Sequence, residues 1–383
     1  MRLPPLSTID PAAEFPVLGE RTYLNHAGCS PIGTRVANAL RDCIDRGGVG
    51  DLANNAWYHD VLAAKPLLAK LVNARGKHEI AFMPNTVTGL SCLANGLNWV
   101  KGDRVVISDV EYPANRYPWT ALRARGVEVV EAKQGPDYRI DIDDVIHLIN
   151  DRTRVVALSH VQFGSGFRID LKPIADEVHA AGGLLCVDAI QSLGAMPMDV
   201  QTMGIDFLAA GSHKWLLGCE GAGFVCCDED LCQQLQPPIA GVLGRVNALD
   251  YGNYDERWLP DARRFETGTM SVLALRSMRA AIELLLEVGL DTVWSRIDAL
   301  GQHLREALSA KGYRVVSPPG ITERSGIVAF DWPEREDQHD RVVKELAAQS
   351  IVIANRMGHL RASPHFYNGI EQIDRLVAAL PDA

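Results

Sequence analysis

The stretch Gly211-Ser212-His213-Lys214-Trp215 follows an apolar run, Phe207–Ala210, that predicts a buried β-strand. A second apolar run, Gly183–Val187, ends in Asp188. Parallel strands of an α/β sheet place such terminal residues side by side at the carboxyl edge of the sheet, where ligands bind. We therefore expect Lys214 and Asp188 to lie close together at one edge of a parallel sheet.

A lysine beside a carboxylate at such an edge has two interpretations. In the simpler one, Lys214 is a solvated loop residue and Asp188 caps the following helix. In the other, the two residues serve pyridoxal phosphate, which needs a lysine for its Schiff base and an acidic partner for its ring nitrogen. The two residues alone favour the simpler interpretation, and the segments around them reverse that preference.

The order and spacing of these segments resemble the class V aminotransferase family of pyridoxal-phosphate enzymes, which includes cysteine desulfurases, isopenicillin N epimerase and kynureninase. The segments are Val187–Ser192, Gly204–Phe207, Ser212–Leu216 and Gly221–Phe224. The resemblance implies an α/β fold, with a large domain built on a mostly parallel seven-stranded sheet flanked by helices, as in aspartate aminotransferase, and a smaller α+β C-terminal domain. The predicted division is an N-terminal arm (1–19), a large cofactor-binding domain (20–260) and a small domain (261–383).

The composition restricts the class of protein independently of any motif. A chain of 383 residues is long enough for one large and one small domain. The formal net charge of −10 argues against a nucleic-acid surface, and no apolar run is long enough to span a membrane. Met1–Pro5 lacks the apolar core of a signal peptide, and the eight cysteines show no disulfide-type spacing. A cytoplasmic protein without a metal site is therefore expected.

The resemblance assigns cofactor contacts to residues in several segments. Lys214 would form the Schiff base, Asp188 would face the ring nitrogen, Gln191 would bind the ring hydroxyl, and His213 the phosphate. Ser212 lies two residues before the lysine, whereas the phosphate serine of desulfurases usually lies three before it. The implied cofactor-binding residues are Thr86, Val87, Tyr112, Gln162, Asp188, Gln191, Ser212, His213, Lys214 and Thr269.

Two of these positions allow a second interpretation. Pro84–Gly89 opens a predicted helix and matches the family's phosphate-binding turn, but a threonine N-cap at this point fits the local sequence equally well. Tyr112 occupies the position where family members commonly have a histidine. A phenol can stack on the cofactor ring but does not exchange protons near neutral pH as histidine does, which points away from a standard desulfurase.

The substrate side of the site is implied by two further segments. Tyr23–Pro31 matches a family segment that lines the pocket, so Asn25, His26 and Ala27 are candidate substrate neighbours, and Pro31 is predicted to begin a helix. Arg361 matches the arginine that binds the α-carboxylate of the substrate. In desulfurases a longer loop before this arginine carries the nucleophilic cysteine. In this chain the loop is short and no cysteine follows Cys232, so persulfide formation by the usual route is doubtful.

Thr269, within Arg264–Thr269, matches a family threonine that reaches the cofactor phosphate of the partner subunit. The resemblance therefore implies a homodimer with shared active sites. Helices are also predicted over Asp51–Arg75, Ser271–Val288 and Leu290–Lys311 from apolar residues at helical spacing.

The implied reaction begins with an amino acid that displaces Lys214 from the cofactor, after which the Lys214 amine moves the Cα proton. The resulting carbanion can undergo β-elimination, transamination or reprotonation. We predict the first, a cysteine desulfurase-like or C–S lyase activity, while an aminotransferase and an amino-acid epimerase stay open. A non-catalytic relative is disfavoured because Lys214 and Asp188 are both present. A nucleotide-binding protein is disfavoured because neither a dinucleotide fingerprint nor a Walker-type loop occurs.

Overall fold

The computed structural model describes residues 3–49, 60–248 and 250–382. Its strands, in chain order, are β1 Thr22–Tyr23, β2 Ile80–Met83, β3 Arg104–Ser108, β4 Glu128–Ala132, β5 Thr153–Ser159, β6 Leu184–Asp188, β7 Phe207–Gly211, β8 Gly223–Cys227, β9 Arg314–Val315, β10 Val328–Asp331, β11 Ile351–Val352, β12 Ala354–Arg356 and β13 His359–Ala362. Its α-helices are α1 Pro11–Glu14, α2 Thr34–Gly48, α3 Ala64–Val72, α4 Thr86–Gly96, α5 Tyr117–Thr120, α6 Ile142–His147, α7 Lys172–Ala180, α8 Glu229–Gln234, α9 Val272–Val288, α10 Leu290–Ala310, α11 His339–Ala348 and α12 Ile370–Ala379.

Seven of the described strands form the central sheet, in the order β2-β8-β7-β6-β5-β3-β4. β8 runs antiparallel to both of its neighbours, β2 and β7, and the other adjacent strands are parallel. This arrangement confirms the mostly parallel seven-stranded sheet predicted from the sequence. Parallel neighbours require crossover connections, and helices of this chain supply them.

Both faces of the central sheet are buried. In β5, Val156 and Leu158 belong to the core on one face, while Val155 and Ala157 belong to the core on the other. Helices α7 and α9 contribute to the first core and α4 contributes to the second. Because side chains alternate along a strand, a strand covered on both faces is apolar at successive positions. The continuous apolar runs of the sequence follow from this burial.

The register of two neighbouring strands places the lysine and the carboxylate at the same edge. β6 and β7 are paired in parallel, with Asp188 opposite Ala209. Asp188 is the last residue of β6, and β7 ends at Gly211, three residues before Lys214. The carboxyl edge of the sheet therefore presents both residues, as expected from the sequence.

A second, four-stranded sheet has the order β12-β13-β10-β9, and its described pairs are antiparallel. Helices α10, α11 and α12 share an apolar core with this sheet. The N-terminal part of the chain joins it through β1, which pairs with β11, and through a bridge between Asn25 and Ser363. Residues next to the N-terminus are thereby brought to the edge of the central sheet that carries Lys214.

The structure differs from the sequence predictions at several boundaries. α2 begins at Thr34 with Gly33 as its N-cap, so the predicted helix start at Pro31 was wrong. The helix predicted over Asp51–Arg75 lies partly outside the described residues, and its described part includes α3. Helix α11 and strand β13 were not predicted. None of the described helices has the length and apolar character needed to cross a membrane.

The predicted boundary at residues 260 and 261 remains a prediction. Helix α9 follows that boundary in the chain, yet its residues Leu275, Met278 and Ile282 lie in the core of the central sheet. This packing favours a division after Val288, with α10 as the first element of the smaller unit.

Candidate active site

A cavity of about 270 Å³ lies at the carboxyl edge of the central sheet. Its lining brings together residues that are distant in the sequence, from the N-terminal segment, α4, the ends of β6 and β7, and the β12–β13 hairpin. The lining residues are Ala27, Gly28, Asn85, Thr86, Val87, Tyr112, Ala114, Phe163, Asp188, Ile190, Gln191, His213, Lys214, Arg356 and Arg361. Most of the residues predicted to bind cofactor or substrate are in this group.

The backbone around Lys214 is held by both ends of the chain. The Ser30 hydroxyl donates a hydrogen bond to the Lys214 carbonyl, and the Ser30 N–H donates to the His213 carbonyl at 2.8 Å. His365 donates from Nε2 to the Trp215 carbonyl at 3.0 Å. Since these three consecutive carbonyls are bound by residues outside the loop, the Cα of Lys214 is fixed independently of its side chain.

The side chains of Lys214 and Asp188 affect each other electrostatically. Burial lowers the pKa of the Lys214 amine, and the nearby carboxylate of Asp188 opposes that shift. Burial also raises the pKa of Asp188, and the buried carboxylate of Glu111 raises it further. The Nζ atom of Lys214 lies 5.5 Å from the centroid of the Tyr112 ring. A buried amine with a lowered pKa is suited to act as a nucleophile and as a base.

Arg361 lies across the cavity from the sheet edge and is only 1% exposed. Its Nη1 donates to the Phe163 carbonyl at 2.7 Å, and its Nε has no hydrogen-bond partner among the described residues. Burial lowers its pKa to about 9, and the neighbouring Arg356 contributes in the same direction. A buried guanidinium with an unbound donor fits an anionic group that enters from the cavity.

The start of α4 provides a candidate phosphate-binding site. Asn85, not a threonine, is the N-cap: its Oδ1 accepts hydrogen bonds from the N–H and the hydroxyl of Thr88, each at 2.9 Å. The first N–H groups of a helix have no acceptor within the helix, so those of Thr86 and Val87 are available to an anion. The Thr86 hydroxyl is buried without a hydrogen-bond partner. These donors fit the phosphate of pyridoxal phosphate, and Lys214 with Asp188 fits its aldehyde and ring nitrogen.

Tyr112 and Gln191 line the cavity in different ways. Tyr112 is 44% exposed and makes an edge-to-face contact with Phe163 at 5.1 Å between ring centroids. The amide of Gln191 donates to the Ala27 carbonyl and accepts from the Trp215 indole N–H, each at 3.0 Å. Gln191 therefore connects the N-terminal segment to the lysine loop, and one N–H of its amide remains for the predicted contact with the ring hydroxyl.

His26 is the clearest correction among the predicted substrate neighbours. It is fully buried outside the cavity lining, with Nδ1 at 2.9 Å from the Ser363 carbonyl and Nε2 at 2.6 Å from the Tyr367 hydroxyl. Both ring nitrogens are therefore occupied. Asn25 is also absent from the lining, and its side chain packs so closely on Gly28 that a Cβ there would lie 2.8 Å from Asn25 Nδ2.

Three predicted cofactor residues also lie outside the cavity lining. Ser212 is turned away, since its hydroxyl lies 2.6 Å from the Cys219 carbonyl and 3.0 Å from the Ala222 carbonyl. Gln162 donates from Nε2 to the buried Glu111 at 3.0 Å. Thr269 lines a separate cavity of about 410 Å³. The Ser212 hydroxyl is thus engaged within the protein, whereas the Oε1 atom of Gln162 is buried without a hydrogen-bond partner among the described residues.

Several residues of the site were not predicted from the sequence. Asn85, Phe163 and Arg356 line the cavity, and the carboxylate of Glu111 is near enough to Asp188 to raise its pKa. Glu111 accepts hydrogen bonds from four residues, Ser108, Asn115, Ser159 and Gln162. The asparagine before the predicted helix was a usable signal for Asn85. Arg356 could have been found from its spacing to Arg361 only if the intervening turn had been predicted.

Lowering the pH is expected to destabilise the protein through His26. Burial lowers the pKa of His26 from its usual 6.5 to about 4. Since the folded state keeps the ring neutral, the stability that depends on His26 is complete above about pH 6.5 and is lost as the pH falls towards 4. Relative to a His26→Gln variant, the wild type is expected to lose about 1.4 kcal/mol of unfolding free energy per pH unit between about pH 6 and pH 4.

Denaturant unfolding of both proteins at a series of pH values measures this difference. His147→Gln, which removes an exposed histidine of α6, is the control for the loss of a histidine side chain. A stability difference between wild type and His26→Gln that stays constant over this pH range would contradict the prediction.

Comparisons with known proteins identify the family and the fold of this chain. Residues 22–376 match the family model Aminotransferase class-V. A probable cysteine desulfurase of Methanothermobacter thermautotrophicus is 29% identical over 98% of this chain and 98% of its own length. The solved cysteine desulfurase CsdA of Escherichia coli has a TM-score of 0.86 and 25% identity, with 97% of each chain covered. The cystine C–S lyase C-DES, solved with its product cysteine persulfide, has a TM-score of 0.86 and 23% identity, covering 95% of this chain and 98% of its own.

Proposed function

Because the chain belongs to the aminotransferase class-V family, we propose that it is a pyridoxal-phosphate enzyme that cleaves the carbon–sulfur bond of cysteine or of an S-substituted cysteine. The observation that carries the proposal is the buried Lys214 beside Asp188, with Arg361 in the same cavity. Lysine, acid and arginine are the groups needed to hold the cofactor, to protonate its ring and to bind an α-carboxylate.

Each residue has a role that follows from its position. Bound pyridoxal phosphate supplies an electron sink for bond breaking at the substrate Cα. Lys214 would bind the aldehyde and, as a free amine, would move the proton at Cα; its lowered pKa makes the neutral amine accessible near neutral pH. Asp188 would hold the ring nitrogen, and the first amides of α4 would hold the phosphate. Arg361 binds and orients the α-carboxylate.

β-Elimination accounts for the proposed reaction without an oxidant or reductant. The electron pair of the Cα–H bond forms the Cα–Cβ double bond, and the electron pair of the C–S bond leaves with sulfur. With cysteine, one water is consumed and pyruvate, ammonia and hydrogen sulfide are formed. With an S-substituted cysteine, the corresponding thiol replaces hydrogen sulfide.

Release of sulfur as a small thiol is favoured over transfer to a cysteine of the protein. The β12–β13 hairpin before Arg361 turns through Met357-Gly358 and carries no cysteine. Cys29 lies close enough to Lys214 to interact with it electrostatically, but burial raises the pKa of the Cys29 thiol. A raised pKa disfavours the thiolate that a persulfide-forming nucleophile requires.

Product analysis tests the proposal directly. The purified protein, loaded with pyridoxal phosphate, is incubated with L-cysteine and with S-methyl-L-cysteine, and pyruvate and the released thiol are measured. We expect pyruvate and thiol in equal amounts. An aminotransferase would instead form a keto acid only while a second keto acid is supplied, and an epimerase would invert the amino acid without forming pyruvate. A protein that takes up no pyridoxal phosphate would overturn the cofactor assignment.

A homodimer with shared sites and a cytoplasmic location remain proposals. The dimer is supported by Thr269, which is absent from the lining of the Lys214 cavity and matches a family threonine that reaches the cofactor phosphate of the partner subunit. Ile44 and Leu273, both exposed, line a surface cavity together with Thr269 and would be covered in such a dimer. Sedimentation of the loaded protein measures the oligomeric state, and a stable monomer that is fully active would contradict shared sites.

A further inference from the structure

Arg356 is the second arginine of the active-site cavity, and no function in the proposed mechanism uses it. It lines the cavity together with Arg361, but it is exposed whereas Arg361 is buried. Its Nη1 donates to the Asn355 carbonyl at 2.8 Å, and among the described residues neither arginine forms an ion pair. A guanidinium at the mouth of the cavity is therefore available to an anion.

The pairing of β12 with β13 directs both arginines to the same side. Ala354 lies opposite Arg361, and Arg356 lies opposite His359. Since side chains alternate along each strand, Arg356 and Arg361 are diagonal neighbours on one face of the hairpin, and such neighbours are about 7–8 Å apart. The spacing suits two anionic groups on a single small molecule.

The backbone of the hairpin that carries Arg356 is held in place by its turn and by hydrogen bonds to neighbouring side chains. Its turn consists of Met357 and Gly358, with φ values of 55° and 86°, which is the left-handed pair of a tight two-residue turn. His339 bonds the Gly358 carbonyl through Nδ1 at 2.7 Å, and His359 bonds the buried Asp331 at 2.7 Å. The backbone position of Arg356 is thus fixed while its side chain remains free to contact a ligand.

Arg356 is the charged residue of the cavity lining to which the proposed function assigns no partner. The other lysine, arginine and aspartate side chains of the lining are Lys214, Arg361 and Asp188. In the proposed function, the cofactor engages Lys214, Asp188 and, through its phosphate, the first amides of α4, and the α-carboxylate of the substrate engages Arg361. The positive charge of Arg356 is then the one that a further group of the substrate can neutralise.

We propose that Arg356 binds a second carboxylate of the substrate, so that the preferred substrates are S-substituted cysteines whose sulfur substituent ends in a carboxylate. This inference rests on the proposed function and specifies its substrate class. Arg361 holds the α-carboxylate deep in the cavity, and Arg356 holds the distal carboxylate at its mouth. The leaving group is accordingly a thiol that carries a carboxylate.

Matched substrates test this assignment. S-carboxymethyl-L-cysteine and S-carbamoylmethyl-L-cysteine have nearly the same shape, and only the first carries a distal charge. The loaded wild-type enzyme is expected to show a kcat/KM about 2- to 30-fold higher for the carboxylate, because a charge-assisted hydrogen bond replaces a neutral one. In Arg356→Gln the preference is expected to fall close to one, through a higher KM for the carboxylate and with the amide unaffected.

Two further variants complete the design. Arg356→Lys keeps the charge but not the two-pronged donor and is expected to retain part of the preference. Arg341→Gln removes an exposed arginine of α11 that pairs with Glu345 and is expected to retain all of it. Equal rates for the two substrates in the wild type, or a preference unchanged in Arg356→Gln, would overturn the inference.

The inference and the proposed function can fail separately. Turnover of L-cysteine with no preference between the two matched substrates overturns the role of Arg356 alone. If no substrate yields pyruvate, the proposed reaction is wrong. Calorimetric dissociation constants of the two compounds for the loaded wild type and Arg356→Gln then decide the role of Arg356 without turnover. A carboxylate preference in binding that Arg356→Gln removes supports it, and equal binding overturns it.

Discussion

Lys214→Ala is expected to reduce kcat by about 10²- to 10⁴-fold or more, because it removes both the attachment point of the cofactor and the group that moves the Cα proton. The loop itself should keep its shape, since Ser30 and His365 hold the backbone carbonyls of Lys214 and Trp215. The loss should therefore be chemical and not structural. Measurement of kcat, together with far-UV circular dichroism of the same samples, separates the two.

Two further measurements test the role of Lys214 in addition to the loss of kcat. After borohydride reduction, mass spectrometry should find a covalent cofactor adduct on wild type but not on Lys214→Ala. A small primary amine added to the variant should restore part of the rate by replacing the missing base. Lys172→Ala, which removes an exposed lysine paired with Asp176 on α7, is the control and should behave like wild type. An adduct on another lysine of the variant would reject Lys214 as the attachment point.

Replacing Arg361 by methionine is expected to lower kcat/KM by about 10²- to 10³-fold, mainly through KM. Truncating one partner of a buried, hydrogen-bonded charge pair typically costs about 2–5 kcal/mol, and Arg361 lines the same cavity as Lys214 with its Nε unpartnered among the described residues. Methionine preserves volume and flexibility but cannot bind a carboxylate. Steady-state kinetics with L-cysteine measures the effect.

The stability of the same variant provides a second criterion. In the free protein Arg361 is buried without an acidic partner among the described residues, and burial lowers its pKa. An apolar residue removes that desolvation cost, so the unfolding free energy should fall by no more than about 1 kcal/mol, the worth of its bond to the Phe163 carbonyl. Arg305→Met, at a buried arginine outside the cavity, should leave kcat/KM unchanged. A large loss of stability with unchanged kinetics would make Arg361 a structural residue.

The sequence predicted the parts of the site that depend on strand ends. An apolar run that ends in a charged residue places that residue at the sheet edge whatever the rest of the chain does, and this accounts for Asp188 and Lys214. The resemblance to the family placed Arg361, Thr86 and Val87 in the same cavity. These expectations depend on local order and on parallel pairing, both of which are visible in the sequence.

The predicted residues that lie outside the cavity lining are oriented by contacts with other segments of the chain. His26 is turned into the core by Ser363 and Tyr367, more than 330 positions away. Ser212 is turned by carbonyls beyond the lysine, at Cys219 and Ala222. Local sequence fixes the position of such a side chain along the backbone but not its direction. The same limit hid Arg356, because the face it shares with Arg361 depends on a tight turn.

The anchoring of the lysine loop has a consequence for how this protein matures. During synthesis, strands β2–β8 leave the ribosome long before His365, which is the residue that secures the Trp215 carbonyl. A nascent chain could thus complete its large sheet while the lysine segment still lacked its last support. Catalytic competence would then arise only when translation is almost finished, and a chain shortened near its C-terminus would be folded in large part and yet inert.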